Sequence, residues 1–250
     1  MTRYMAAARI DERGRISGGK DGDQTGAEVM VQKYSNFGID TVLRYEGADK
    51  YHVRNRMVRA GVGLASNNRV GYNQLRRKTS YKEMRAQGWK LKGIPKVGLC
   101  ATDCSELVAI CVNVGFMAEK VPSSNWTGSE AANLRKLGFK DVTGAVDKRT
   151  GEGLQPGDVL LNTNSHTALY IGGKRGGSRY VKSYTVKRTR YLYPKPKKEK
   201  AKRIRRLGAG TVLDYKHDKH GLWRKVKVGK DTGWVHVGRP AKAVKVREYC

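Results

Sequence analysis

A chain of 250 residues with 38% hydrophobic side chains can hold one large or two modest domains with ordinary cores. Its 51 Lys and Arg against 22 Asp and Glu give a formal net charge of +29, which argues for anionic partners and against cationic ones. No apolar run is long enough to span a membrane, and the start, Met1 to Arg9, lacks the apolar segment of a signal peptide, so synthesis in a cytoplasm is expected.

In chain order, the first hundred residues read as mainly helical and loop-like, with a helix expected over 48–65. A sharper signal begins at Asp103, a good N-cap, with Glu106 in the first turn and Leu107, Val108, Cys111 and Val114 recurring at helical intervals up to a stop at Gly115. Cys104 then stands on the first turn, where unpaired N–H groups and the positive dipole end favour a thiolate. A short helix is expected over 130–139, closed by Gly138, with Trp126 just before it. Gly157 to Leu161 reads as a turn entering a strand, and His166 to Ile171 as a second strand closed by Gly172 and Gly173. Of the five histidines only His166 lies on an apolar strand, which makes it the base for Cys104.

The remaining cysteines, Cys100, Cys111 and Cys250, form no CxxC pair with each other or with Cys104, and the chain has no HExxH motif. Structural zinc and a disulfide framework are therefore not expected, and no metal or other cofactor is.

These residues carry a resemblance. Asp103-Cys104-Ser105-Glu106-Leu107-Val108 is similar to the D-C-S-x-L/F-V motif of papain-like wall hydrolases of the NlpC and CHAP type, and Gly157-Asp158-Val159-Leu160-Leu161 with Ser165-His166-Thr167 resembles their strand pair. Gly22 to Val29 and Val70 to Arg77 also resemble segments of phage endolysins. The resemblance implies an α+β papain-like domain over 1–183 that cuts an amide of the peptidoglycan stem peptide, with Cys104 as nucleophile and His166 as base. It also implies oxyanion or orienting roles for Tyr72 and Gln24. Such enzymes place a polar side chain on the strand after the histidine, and 172–183 contains no Asn, Gln, Glu, Asp or His. Asn162, Asn164, Asp23 or a main-chain carbonyl must orient the ring, or the site is a dyad.

From Tyr184 onward there are 21 basic and 5 acidic residues, the densest run being Lys195–Arg206. Alternation over 185–193, 211–215, 222–228 and 233–237, with a hairpin turn at 229–233, predicts several short strands and a small barrel. The stretch from Gly221 to Val235 resembles the G-x-W-x-K-V…G-x-x-G-W-V signature of bacterial SH3-like wall-binding domains, which implies such a domain over 184–250. Trp126, Trp223 and Trp234 are candidate substrate-binding residues, with plain packing as the alternative. The expected partners of this monomer are peptidoglycan and anionic wall polymers, with nucleic acid bound only nonspecifically through charge. The competing function is a noncatalytic, basic wall-binding or nucleic-acid-binding protein that retains the fold.

Overall fold

Side chains alternate across a strand, so Met5 and Ala7 of β1 (Tyr4–Ala8) face one way and Ala6 and Ala8 the other, and in the computed structural model all four are buried. The described residues are 2–173, 183–186, 190–195, 204–207, 212–220, 223–228, 231–236 and 244–247. They belong to two compact units, Met1–Arg179 and Tyr180–Cys250.

In the first unit β1 joins β2 (Val29–Lys33), β3 (Thr41–Tyr45), β6 (Phe139–Asp141), β7 (Val159–Asn162) and β8 (His166–Gly172) in an antiparallel sheet of order β2-β1-β8-β7-β3-β6. One face packs on α1 (Lys50–Ala65) and α3 (Cys104–Phe116) through Ala6, Ala8, Leu43, Val159, Leu169 and Ile171. The other buries Met5, Ala7, Val42, Leu160, Ala168 and Tyr170 under Tyr34, Phe37, Val142 and Leu154. A separate parallel pair, β4 (Val70–Tyr72) with β5 (Cys100–Thr102), leads directly into α3. The unit is completed by α2 (Lys78–Ala86) and α4 (Thr127–Lys136).

Several expectations are corrected here. The first hundred residues are mainly helix and loop as expected, but they also supply three strands of the large sheet, which that expectation left out. In β1 the run Tyr-Met-Ala-Ala-Ala is buried on both faces and shows no polar alternation, while alanine intrinsically prefers helix. Likewise α3 does not stop at Gly115: it continues to Phe116 and closes on Met117 in the left-handed region (φ 55°). Gly115 instead allows close packing, since a Cβ there would stand 2.7 Å from Met57 Cγ and 3.1 Å from Val53 O of α1. The whole of α3 beyond Cys104 is enclosed up to Gly115, rather than facing the core along one stripe.

The Gly157-Asp158 pair is structural. Asp158, fully buried, accepts Arg44 Nε at 2.8 Å and Nη2 at 2.7 Å, locking the start of β7 to β3. Gly157 adopts φ 86° with Arg54 packed where a Cβ would stand.

In the second unit β9 (Ser183–Val186), β12 (Val212–His220), β13 (Trp223–Val228), β14 (Asp231–His236) and β15 (Val244–Arg247) form an antiparallel sheet of order β14-β13-β12-β9-β15. Two further strands, β10 (Arg190–Leu192) and β11 (Arg205–Leu207), pair with each other, and Tyr193 exchanges two main-chain hydrogen bonds with Trp234. The described residues of the expected strand over 185–193 fall in β9 and β10, which belong to different sheets, and 187–189 lie outside the described residues. Among the described residues the five-stranded sheet is open, with β14 and β15 at its edges, instead of closing into a barrel. Residues 174–182, 196–203 of the basic run, 221–222 and 229–230 of the expected hairpin, and Cys250 lie outside the described residues.

Candidate active site

Cys104 is placed by its cap. Asp103 takes extended backbone angles and its Oδ1 accepts the N–H of Glu106 at 2.7 Å, which starts α3 at Cys104. Arg77 Nη1 donates to Asp103 Oδ2 at 3.0 Å and to Ser105 Oγ at 2.7 Å, and the Ser105 hydroxyl donates to Asp103 Oδ1 at 3.0 Å. The residues on either side of Cys104 are therefore joined in a hydrogen-bonded frame.

The thiol itself is half-buried, and the backbone N–H groups of Thr167 and Ser105 bear on its sulfur. Burial and then the Asp103 carboxylate nevertheless push it up to about 12. Loss of water and the neighbouring negative charge thus act against the helix end, which favours the thiolate.

His166 opens β8 opposite Asn162, and Ser165 N–H donates to Asn162 O across the tight turn. Its Nε2 is buried without a hydrogen-bond partner, and its ring meets Phe37 edge to face at 4.8 Å between centroids. Burial, and secondarily the Arg9 guanidinium, press the imidazole down to about 4. One cavity of about 320 Å3 is lined by both Cys104 and His166, together with Arg9, Ile16, Phe37, Tyr72 and Asp103 among others.

The other expected site residues separate cleanly. Tyr72 lines this cavity and donates its hydroxyl to Ile16 O at 3.0 Å, holding the loop that forms one wall. Gln24 does not reach it: its amide donates to Gly22 O and Asp21 O. Asp23 is turned into its own loop, accepting the N–H groups of Thr25 and Gly26 and, at longer range, those of Glu28 and Val29. These loop bonds explain the Gly22–Val29 motif as scaffold, since buried Glu28 accepts from Gln24 N and Tyr72 N and so ties the loop to β4.

Asn162 donates to Phe37 O at 2.9 Å rather than to the imidazole. Asn164, at φ 65°, and the half-exposed Trp126 both lie over Gly128 at the start of α4, outside the cavity lining. Trp223 and Trp234 belong to the second unit, in β13 and β14.

Sequence reasoning missed Arg9, Phe37, Arg77 and Glu130. Only Arg77 carried a local signal, as the end of the Val70–Arg77 segment. Glu130 is fully enclosed with both carboxyl oxygens unbonded at good geometry, and the nearby Thr167 hydroxyl is directed to Leu160 O at 3.1 Å. Burial pushes Glu130 up to about 8, and the same cause raises Glu106, also fully buried, to about 8. Among the described residues no three His, Cys, Asp or Glu side chains are grouped to hold a metal ion, and no helix is long and apolar enough to cross a membrane.

No curated protein and no solved structure matches the chain. The family model described as endolysin-like domain matches residues 5–176, a span that runs from β1 through the Asp-Cys-Ser frame to the end of β8. The chain therefore belongs to the endolysin-like domain family, whose name places it with peptidoglycan-lytic hydrolases.

Proposed function

We propose that the chain hydrolyses an amide bond of the peptidoglycan stem peptide by cysteine nucleophilic catalysis, in the manner of NlpC and CHAP enzymes. The observation that carries this reading is a cavity lined by both Cys104 and His166. Neutral His166 takes the thiol proton as Sγ attacks the amide carbonyl carbon. The Cys104 N–H, at the first position of α3 where no earlier carbonyl is in reach, receives the developing oxyanion. The imidazolium then returns the proton to the departing amine, and water, deprotonated by the same imidazole, hydrolyses the thioester.

Burial disfavours the charged form of each group, so in this reading proton transfer accompanies attack instead of preceding it. With Asn162, Asp23 and Gln24 engaged elsewhere, the machinery is a Cys104–His166 dyad. Residues 184–250 are assigned to wall attachment through an SH3-like module, supported by the strand-rich second unit and its Trp223–His236 hairpin register. Their excess of basic charge suits anionic wall polymers.

The test is clearance of a suspension of purified Gram-positive walls by the native chain and by Cys104→Ala. Clearance by the native chain alone is expected, and equal clearance by both overturns the cysteine mechanism. Intact walls with tight, salt-sensitive, sequence-independent DNA binding would favour the noncatalytic reading. Removing 184–250 is expected to weaken wall binding while leaving hydrolysis of soluble muropeptides, and loss of both would place the second unit within the catalytic fold.

A further inference from the structure

A base that must accept and return a proton needs a fixed ring, yet buried Nε2 of His166 has no hydrogen-bond partner. What meets the ring is Phe37, with planes at 75° and centroids at 4.8 Å. Phe37 is itself anchored to the strand pair that holds the histidine: Asn162, paired with His166 across the turn, donates its Nδ2 to Phe37 O at 2.9 Å. Asn36 Oδ1 accepts the N–H groups of Gly38 and Ile39 at 3.0 Å each, and Gly38 at φ 85° leaves space for the Asn162 amide, which a Cβ would approach to 2.6 Å. Ile39 is buried in the second core, so the loop is fixed at its far end as well.

We propose that Phe37 is the positioning residue of His166, its aromatic contact standing where a hydrogen-bonding third member of a catalytic triad would otherwise orient the ring. This rests on His166 being the base. An edge-to-face contact restricts ring tilt without supplying charge, and it excludes water from the imidazole. Asn162 acts one step further back, through the Phe37 carbonyl. The other titratable or charged groups lining the cavity are Arg9, Tyr72, Asp103 and Cys104, and none changes when Phe37 is replaced.

The test measures kcat, KM and the pH profile of the full chain on soluble disaccharide-peptides released from walls by a muramidase. Phe37→Ala and Phe37→Leu are expected to lower kcat about tenfold with KM within about twofold. Hydration of the ring is expected to move the acid limb of kcat/KM to higher pH. Phe37→Tyr, which keeps the ring, is expected to stay within about twofold of native in both parameters. Native kcat in the Leu and Ala variants overturns the proposal, as does a loss of kcat with an unmoved acid limb or an equal loss in the Tyr variant. If Phe37→Ala does not fold, the Leu and Tyr variants decide. These outcomes are separable from failure of the proposed function, which Cys104→Ala reads: a variant lacking the thiol yet still active removes the mechanism whatever Phe37 does.

Discussion

Cys104 sits in a mesh of hydrogen bonds and carboxyl groups, whereas His166 meets an aromatic ring and a guanidinium. Beside Cys104 are Asp103 and Ser105, with Arg77 bonded to both, and the negative charge of Asp103 and of the buried Glu130 acts on the thiol. Around the imidazole are Phe37 and Arg9, with one ring nitrogen unbonded. Burial acts on both, and the charged neighbours then act in opposite senses: negative charge disfavours the thiolate and positive charge disfavours the imidazolium. Both influences favour the uncharged form of each group, each for its own reason.

The largest effect that would break this comparison comes from removing either member. Cys104→Ala is expected to lower the hydrolysis rate by roughly 10^4-fold or more, and His166→Ala by about 10^2- to 10^4-fold, measured as soluble amine release. If His166→Ala costs less than tenfold, the proton leaves by another route and the two halves are not partners.

Arg77 sharpens the nucleophile side. Arg77→Met leaves the Asp103 carboxylate enclosed without its cation and is expected to cost about 3 kcal/mol in a chemical denaturation experiment. Unchanged stability would mean that water reaches Asp103 and that the frame around Cys104 is looser than described.

Glu130 separates electrostatics from packing. Its folded-state value, near 8, lies above that of an unfolded glutamate, so its stabilisation is fully present below about pH 4.5 and is lost as pH rises through 8. Stability of the native chain should therefore contain a contribution falling by about 1.4 kcal/mol per pH unit between pH 6 and 7, which Glu130→Gln removes. An identical pH dependence in both chains would show that Glu130 is ionised in the fold. By the corresponding logic for His166, the acid limb of kcat/KM is expected near pH 4 rather than near 6.5.

The smallest effect concerns the wall of the cavity. Tyr72→Phe loses the hydrogen bond to Ile16 O and is expected to cost about 1 kcal/mol of stability while raising KM more than it lowers kcat. A pure loss of kcat would instead assign the Tyr72 hydroxyl to the reacting atoms.

The nucleophile half was legible in the sequence because its structure is local: Asp103 caps its own helix, and Cys104 and Ser105 follow within one turn. The β7–β8 pair was legible for the same reason, a turn of a few residues between two apolar runs. What surrounds the histidine was not. Phe37 and Arg9 precede it by more than a hundred residues and reach it only because the sheet places β8 between β1 and β7. β1, which delivers Arg9, is hidden by its alanines, and Glu130 by its position on an otherwise polar helix where an acid reads as solvated. The roles expected of Gln24 and Asp23 failed because short polar side chains in a glycine-rich loop bond to their own backbone.

The most direct test of Cys104 as the attacking atom is acid quenching of the native chain during turnover of soluble muropeptide, followed by peptide mass spectrometry. A stem-peptide acyl adduct on the peptide containing Cys104, absent from Cys104→Ala, is the expected result. Fragment release with no adduct on Cys104, at a quench time short enough to trap a thioester, would contradict it.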